Sequence, residues 1–107
     1  MLEVTSENFK EQVEESEKLV LVDFWGPLCQ PCLASMPVVE QLADRYKENL
    51  KVTKIDSSKN RRLCINLKIG GLPTFLLYRK GQEIGRLTGG QVNEEGLIKF
   101  ISEQLNQ

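Results

Sequence analysis

Apolar positions divide the chain into stretches with two different periods. Residues 19–25, Leu-Val-Leu-Val-Asp-Phe-Trp, are almost continuously apolar and β-prone, the pattern of a strand buried on both faces of a sheet. Gly26-Pro27-Leu28 breaks that strand, and a helix is predicted from about Cys29. Within it Cys32, Met36, Val39, Ala43 and Tyr46 recur at spacings of four, three, four and three, giving one apolar stripe. Pro37 interrupts the stripe and predicts a kink, since it removes a backbone donor and crowds the turn before it. Residues 51–56 read as a second strand and 60–67 as a short helix. Residues 74–78 and 82–88 read as two strands joined at Lys80-Gly81, an antiparallel hairpin. A closing amphipathic helix uses Leu97, Ile98, Ile101 and Leu105, with Asn93 as its cap. At the front, residues 2–4 suit a short strand, and a helix capped by Thr5 or Ser6 turns Phe9 and Val13 inward.

A β-α-β unit followed by a hairpin and a helix implies an α/β protein with a mixed sheet and helices on both faces. The 107 residues suit a single domain, 1–107, able to build a core without disulfide staples. The net charge of −1 gives no reason to expect nucleic acid or an anionic membrane as partner. Lys59, Arg61 and Arg62 are the one dense basic cluster, read as a solvated helix face. The longest apolar run, 19–22, is far short of the roughly 20 residues a membrane span needs. The first residues carry neither a basic region nor an apolar stretch, so the expected location is the cytoplasm.

The chain holds three cysteines and no histidine, which leaves thiols, carboxylates and lysines to carry any chemistry. In a reducing compartment the spacing Cys29-Gln30-Pro31-Cys32 points to redox catalysis or metal binding. Its position at a strand-to-helix turn favours the first. Free backbone N–H groups and the dipole at a helix start stabilise a thiolate on Cys29, and a thiolate is what opens a disulfide. Cys32, one turn on, can attack the resulting mixed disulfide. Pro31 restricts the loop and suits a first helical turn. A structural zinc half-site is the competing reading, with only one further cysteine and no histidine to complete it. Coincidental spacing is another.

Asp23 places a carboxylate inside a strand that otherwise looks wholly buried, where its pKa should rise well above about 3.9. Such a group can exchange a proton with the Cys32 thiol; the alternative is a strand-end aspartate that reaches solvent. Lys54, on the next strand, is its candidate ionic partner, or a plain surface lysine. Pro73 precedes a strand whose interior could not hold it, and a cis bond there would leave Leu72 free to pair with an extended substrate. Cys64, among Leu63, Ile65 and Leu67, reads as a small buried hydrophobe, with a regulatory thiol as the minority reading.

In this order Val22-Asp-Phe-Trp25, Cys29-x-Pro31-Cys32, Pro37, Lys54, Gly71-x-Pro73-Thr74 and Gly89 resemble the landmarks of the thioredoxin family over nearly the whole chain. The resemblance implies a thioredoxin fold, a central five-stranded mixed sheet flanked by four helices, with a cis bond before Pro73. It implies a monomeric reductase of disulfides in partner proteins, recharged by a thioredoxin-reductase-type electron donor. No cofactor is implied beyond the redox-active Cys29–Cys32 disulfide. By position, Cys29 is the attacking cysteine, Cys32 the resolving one and Asp23 the acid–base group. Trp25, Leu72, Pro73 and Gly89 border the substrate groove. Leu28 stands where the family has an aromatic residue and Gln30 where it has glycine. These departures surround the sulfur that meets the partner, together with Gly26-Pro27. The reading from another class is a non-catalytic thioredoxin-fold binding module.

Overall fold

Strand β2 (Leu19–Trp25) lies at the centre of the sheet, paired on both sides. The structure, a computed structural model, describes residues 1–106. These form one five-stranded sheet in the order β1-β3-β2-β4-β5. Strands β1 (Leu2–Glu3), β3 (Leu50–Asp56) and β2 run parallel. Strand β4 (Thr74–Arg79) is antiparallel to β2, and β5 (Gln82–Thr88) to β4, so the sheet is mixed as expected. The four helices among the described residues are α1 (Lys10–Glu14), α2 (Gln30–Arg45), α3 (Arg61–Asn66) and α4 (Glu94–Leu105).

Side chains alternate across a strand, so β2 feeds two cores. Leu19 and Leu21 pack with Val39 and Leu42 of α2 and with Leu97 and Ile101 of α4. Val20, Val22 and Phe24 pack on the other face with Phe9, Val13 and Cys64. By the same alternation Asp23 and Trp25 belong to the face that α2 covers. This parity puts the carboxylate of β2 and the buried stripe of α2 in one layer.

The hairpin turn at Lys80-Gly81 has positive φ at both residues, 51° and 82°, as a two-residue turn matched to the twist of its strands requires. Asn93 caps α4, its Oδ1 accepting from the N–H of Gly96 at 2.8 Å. Gly85 of β5 lets α4 approach: a Cβ built there would stand 2.9 Å from Cε1 of Phe100.

Local details at three helices refine the expectations. Helix α1 is one wide turn, closed by Glu15 N–H donating to the Lys10 carbonyl, and no side chain caps it. Thr5 N–H donates to Asn8 Oδ1 instead, and the N–H and hydroxyl of Ser6 both donate to Asn60 Oδ1, at 2.9 and 3.1 Å. On α2 the fully buried positions are Cys32, Val39 and Leu42, while Met36, Ala43 and Tyr46 are half-buried flanks. The helix includes Pro37, the position where a kink is expected, and runs on to Arg45. Asn60 stays outside α3, its Nδ2 donating to the Asp56 carbonyl at 2.8 Å.

Candidate active site

The chain leaves β2 at Trp25, turns through Gly26-Pro27-Leu28, and enters α2 with Cys29 as the capping residue. Cys29 is extended (φ −92°, ψ 102°), and its Sγ accepts from the N–H of Cys32 at 3.2 Å. A sulfur therefore takes the place of the usual capping oxygen, among backbone donors that favour negative charge. Gln30 and Pro31 open the helix and are exposed, and Pro31 sits where no intrahelical donor is needed. Cys29 and Cys32 are joined by a disulfide, with their Cα atoms 5.2 Å apart. Cys29 is half-exposed, whereas Cys32 has 0% exposure and faces the sheet.

Leu28 is 93% exposed, the most exposed large apolar side chain described. With Pro27, Cys29 and Leu72 it walls an open, mostly apolar groove of about 440 Å³. Gly26 keeps the loops close, since a Cβ there would lie 3.3 Å from Leu72 Cδ1. Leu72 is joined to the buried Pro73 by a cis bond, and Thr74 Oγ1 donates to the Gly71 carbonyl at 2.6 Å. Gly89 has φ 61° and shares a second hollow with Leu72, Thr74 and Arg86. Leu72 is thus the ridge between the hollow of Cys29 and that of Gly89.

Asp23 is 1% exposed, and neither of its carboxylate oxygens has a hydrogen-bond partner. Burial pushes its pKa from 3.8 up to about 7, against a smaller downward pull from the Lys54 charge. Lys54 is the register partner of Asp23 on β3, yet its ammonium stands over the Trp25 ring, 5.6 Å from the centroid. It makes no ion pair with Asp23; the ion pairs among the described residues are Arg86–Glu83 and Lys99–Glu103. The half-buried Trp25 keeps an unpartnered Nε1.

Sequence reasoning missed three residues of the groove: Ser57, Ser58 and Arg61. They follow the carboxyl end of β3, the parallel neighbour of β2. Loops at that edge of parallel strands form the usual binding crevice of an open α/β sheet, which is the signal that would have found them.

A half-exposed sulfur capping a helix, bonded to a buried one beside an apolar groove, defines a thiol–disulfide exchange domain. The model of the family described as Thioredoxin matches residues 1–103. The chain is 39% identical over 102 residues to the thioredoxin of Acetoanaerobium sticklandii, covering 92% of this chain and 97% of that one. It is 37% identical over 105 residues to the thioredoxin of Peptoclostridium acidaminophilum, covering 98% and 96%. With thioredoxin 1 of a Nostoc species it shares 36% over 87 residues, 81% of each chain. The chain belongs to the thioredoxin family, and with its redox-active Cys29–Cys32 pair it is a protein-disulfide reductase.

Proposed function

We propose that Cys29 is the entering nucleophile, Cys32 the resolving thiol and Asp23 the group that holds the proton between them. The observation that carries this reading is the asymmetry of exposure: a partner's disulfide can reach Cys29, while Cys32 is sealed against the sheet. The Cys29 thiolate attacks one sulfur of the partner disulfide, forming a mixed disulfide and expelling the partner's other sulfur as thiolate. Cys32 then loses its proton to the Asp23 carboxylate, directly or through a water, and attacks Sγ of Cys29. The second partner sulfur leaves as thiolate, takes up a proton, and two electrons have passed from the cysteine pair to the partner. A carboxyl titrating at about 7 is suited to accept and return a proton near neutral pH.

Trp25, Leu28, Gln30, Pro31, Leu72, Pro73 and Gly89 border the surface on which the partner segment lies. Lys54, over Trp25, tempers the Asp23 carboxylate by its charge rather than by direct pairing. The electrons reside in the cysteines themselves, so the reaction as proposed uses no bound cofactor. A thioredoxin-reductase-type donor recharges the pair, and the protein works as a monomer in the cytoplasm, without nucleic acid or membrane. No helix among the described residues is long and apolar enough to cross a membrane.

The test is trapping. Cys32→Ser should accumulate a mixed disulfide with a protein disulfide through Cys29, and Cys29→Ser should accumulate none. A stable adduct at Cys32 in the Cys29→Ser protein reverses the assignment. Full biological function in the doubly substituted protein, which cannot reduce a disulfide, would instead favour the binding module.

A further inference from the structure

The groove beside Cys29 has an uneven wall. Pro27, Leu28 and Leu72 make it apolar, and Arg61 places an exposed guanidinium on the same surface. Among the described residues Arg61 has neither an ion pair nor a hydrogen bond, nor do the adjacent Lys59 and Arg62. The nearby carboxylate in sequence, Asp56, is buried and occupied: its Oδ1 accepts from the N–H and the hydroxyl of Ser58, at 3.0 and 2.6 Å. Ser57, also on the groove wall, has a buried hydroxyl with no partner. A protein of net charge −1 therefore carries an uncompensated cationic edge on the groove that Cys29 lines.

We propose that this groove selects disulfides whose flanking segment carries an acidic side chain, with Arg61 as the specificity-determining residue. The proposal deepens the reductase reading and rests on Cys29 being the entering sulfur. The occupant is an extended segment of a disulfide-bearing protein. Its apolar side chains lie on Leu28 and Leu72, and an aspartate or glutamate beside its reacting cysteine accepts from the Arg61 fork. A guanidinium suits this task because its planar donors match a carboxylate in two bonds, and its charge at the rim of a contact steers approach. The solvated-face reading of the basic cluster is thereby replaced, for Arg61, by a role in choosing partners.

The experiment uses three short peptides closed by one disulfide, identical except for Glu, Gln or Lys next to the reacting cysteine. Pre-reduced protein is mixed with each in single turnover, quenched with acid and read by chromatography, at low salt and at about 1 M salt. Hydroxyethyl disulfide, which is uncharged, reports on the exchange reaction itself. The wild-type protein should reduce the Glu peptide roughly two- to fivefold faster than the Gln peptide, and the Lys peptide more slowly still. Arg61→Gln should remove this order, Arg61→Glu should reverse it, and about 1 M salt should flatten it. Each variant's own reactivity cancels when its peptides are compared, and intrinsic peptide reactivity cancels when that ratio is divided by the wild-type ratio, so the wild-type to Arg61→Gln change in the ratio is the quantity read. Equal rates for the three peptides at low salt, or an order that survives Arg61→Gln, overturn the proposal. If hydroxyethyl disulfide is not reduced either, the reductase reading falls first; if it is reduced, only the acidic preference has failed.

Discussion

Replacing Asp23 by asparagine keeps the shape of the buried side chain and removes its titration. The carboxyl ionises at 3.8 in its ordinary state and at about 7 in the folded protein. Each tenfold difference in proton affinity is worth about 1.4 kcal/mol, so full ionisation costs the folded state about 4 kcal/mol. The sign follows from which state holds the proton. Below pH 3.8 both states are protonated and the group contributes nothing. Between 3.8 and about 7 the unfolded chain ionises while the folded one stays protonated, so stability falls as pH rises; above about 7 the loss is complete. Asp23→Asn lacks this loss. The oxidised variant should match the wild type to within about 1 kcal/mol near pH 4 and exceed it by about 4 kcal/mol at pH 8.5. Urea unfolding at a series of pH values, with the disulfide intact, measures the difference. An amide buried without partners adds a cost that does not vary with pH, so the growth of the difference is the diagnostic quantity, not its absolute size. A difference that stays flat from pH 4 to 8.5 refutes the argument. The same substitution should slow single-turnover reduction of a protein disulfide by about tenfold or more.

In the reduced native protein, iodoacetamide should label Cys29 well before the buried Cys32 and Cys64, which mass spectrometry of the first alkylated site will show. Gln30→Gly with Leu28→Trp should shift redox potential or reductase preference while changing stability by less than about 1 kcal/mol, since both side chains are exposed; unchanged potential and kinetics sink the idea. Gly85→Ala should cost about 1–3 kcal/mol in urea unfolding, because the new methyl meets the Phe100 ring at 2.9 Å. Asn93→Ala should cost about 1 kcal/mol by leaving the Gly96 N–H without its cap.

What the sequence disclosed depended on how local the cause was. The β2 strand was legible because burial on both faces leaves an unbroken apolar run, and Asp23 stood out against that run for the same reason. The Lys80-Gly81 turn and the Asn93 cap were legible because the residues that make them are neighbours in the chain. The start of α1 was not, because Ser6 is claimed by Asn60, 54 residues away, and no local rule anticipates that. The stripe of α2 was legible in direction, and Ala43 and Tyr46 pack half-buried on its core, but a helical period does not give the width that the sheet covers. Lys54 read as a partner for Asp23 from its place on the next strand, yet a cation can also be stabilised by an aromatic face, and Trp25 offers one. Arg61 was invisible as a groove residue because a charge on a short helix has the same pattern whether it faces open water or a cleft.

Arg86 reaches from β5 to the carbonyls of Leu67 and Lys68, at 2.8 and 2.9 Å, while both Glu83 oxygens hold its guanidinium in place. Those two carbonyls lie just beyond α3, on the segment that runs into Leu72. The outermost strand of the sheet is thus tied by hydrogen bonds to the segment leading to the ridge beside the reacting sulfur, although β5 contributes no side chain to that groove. The segment that carries Leu72 is therefore anchored at its start to the edge of the sheet, and the cleft rests on that anchor as well as on the loops that line it.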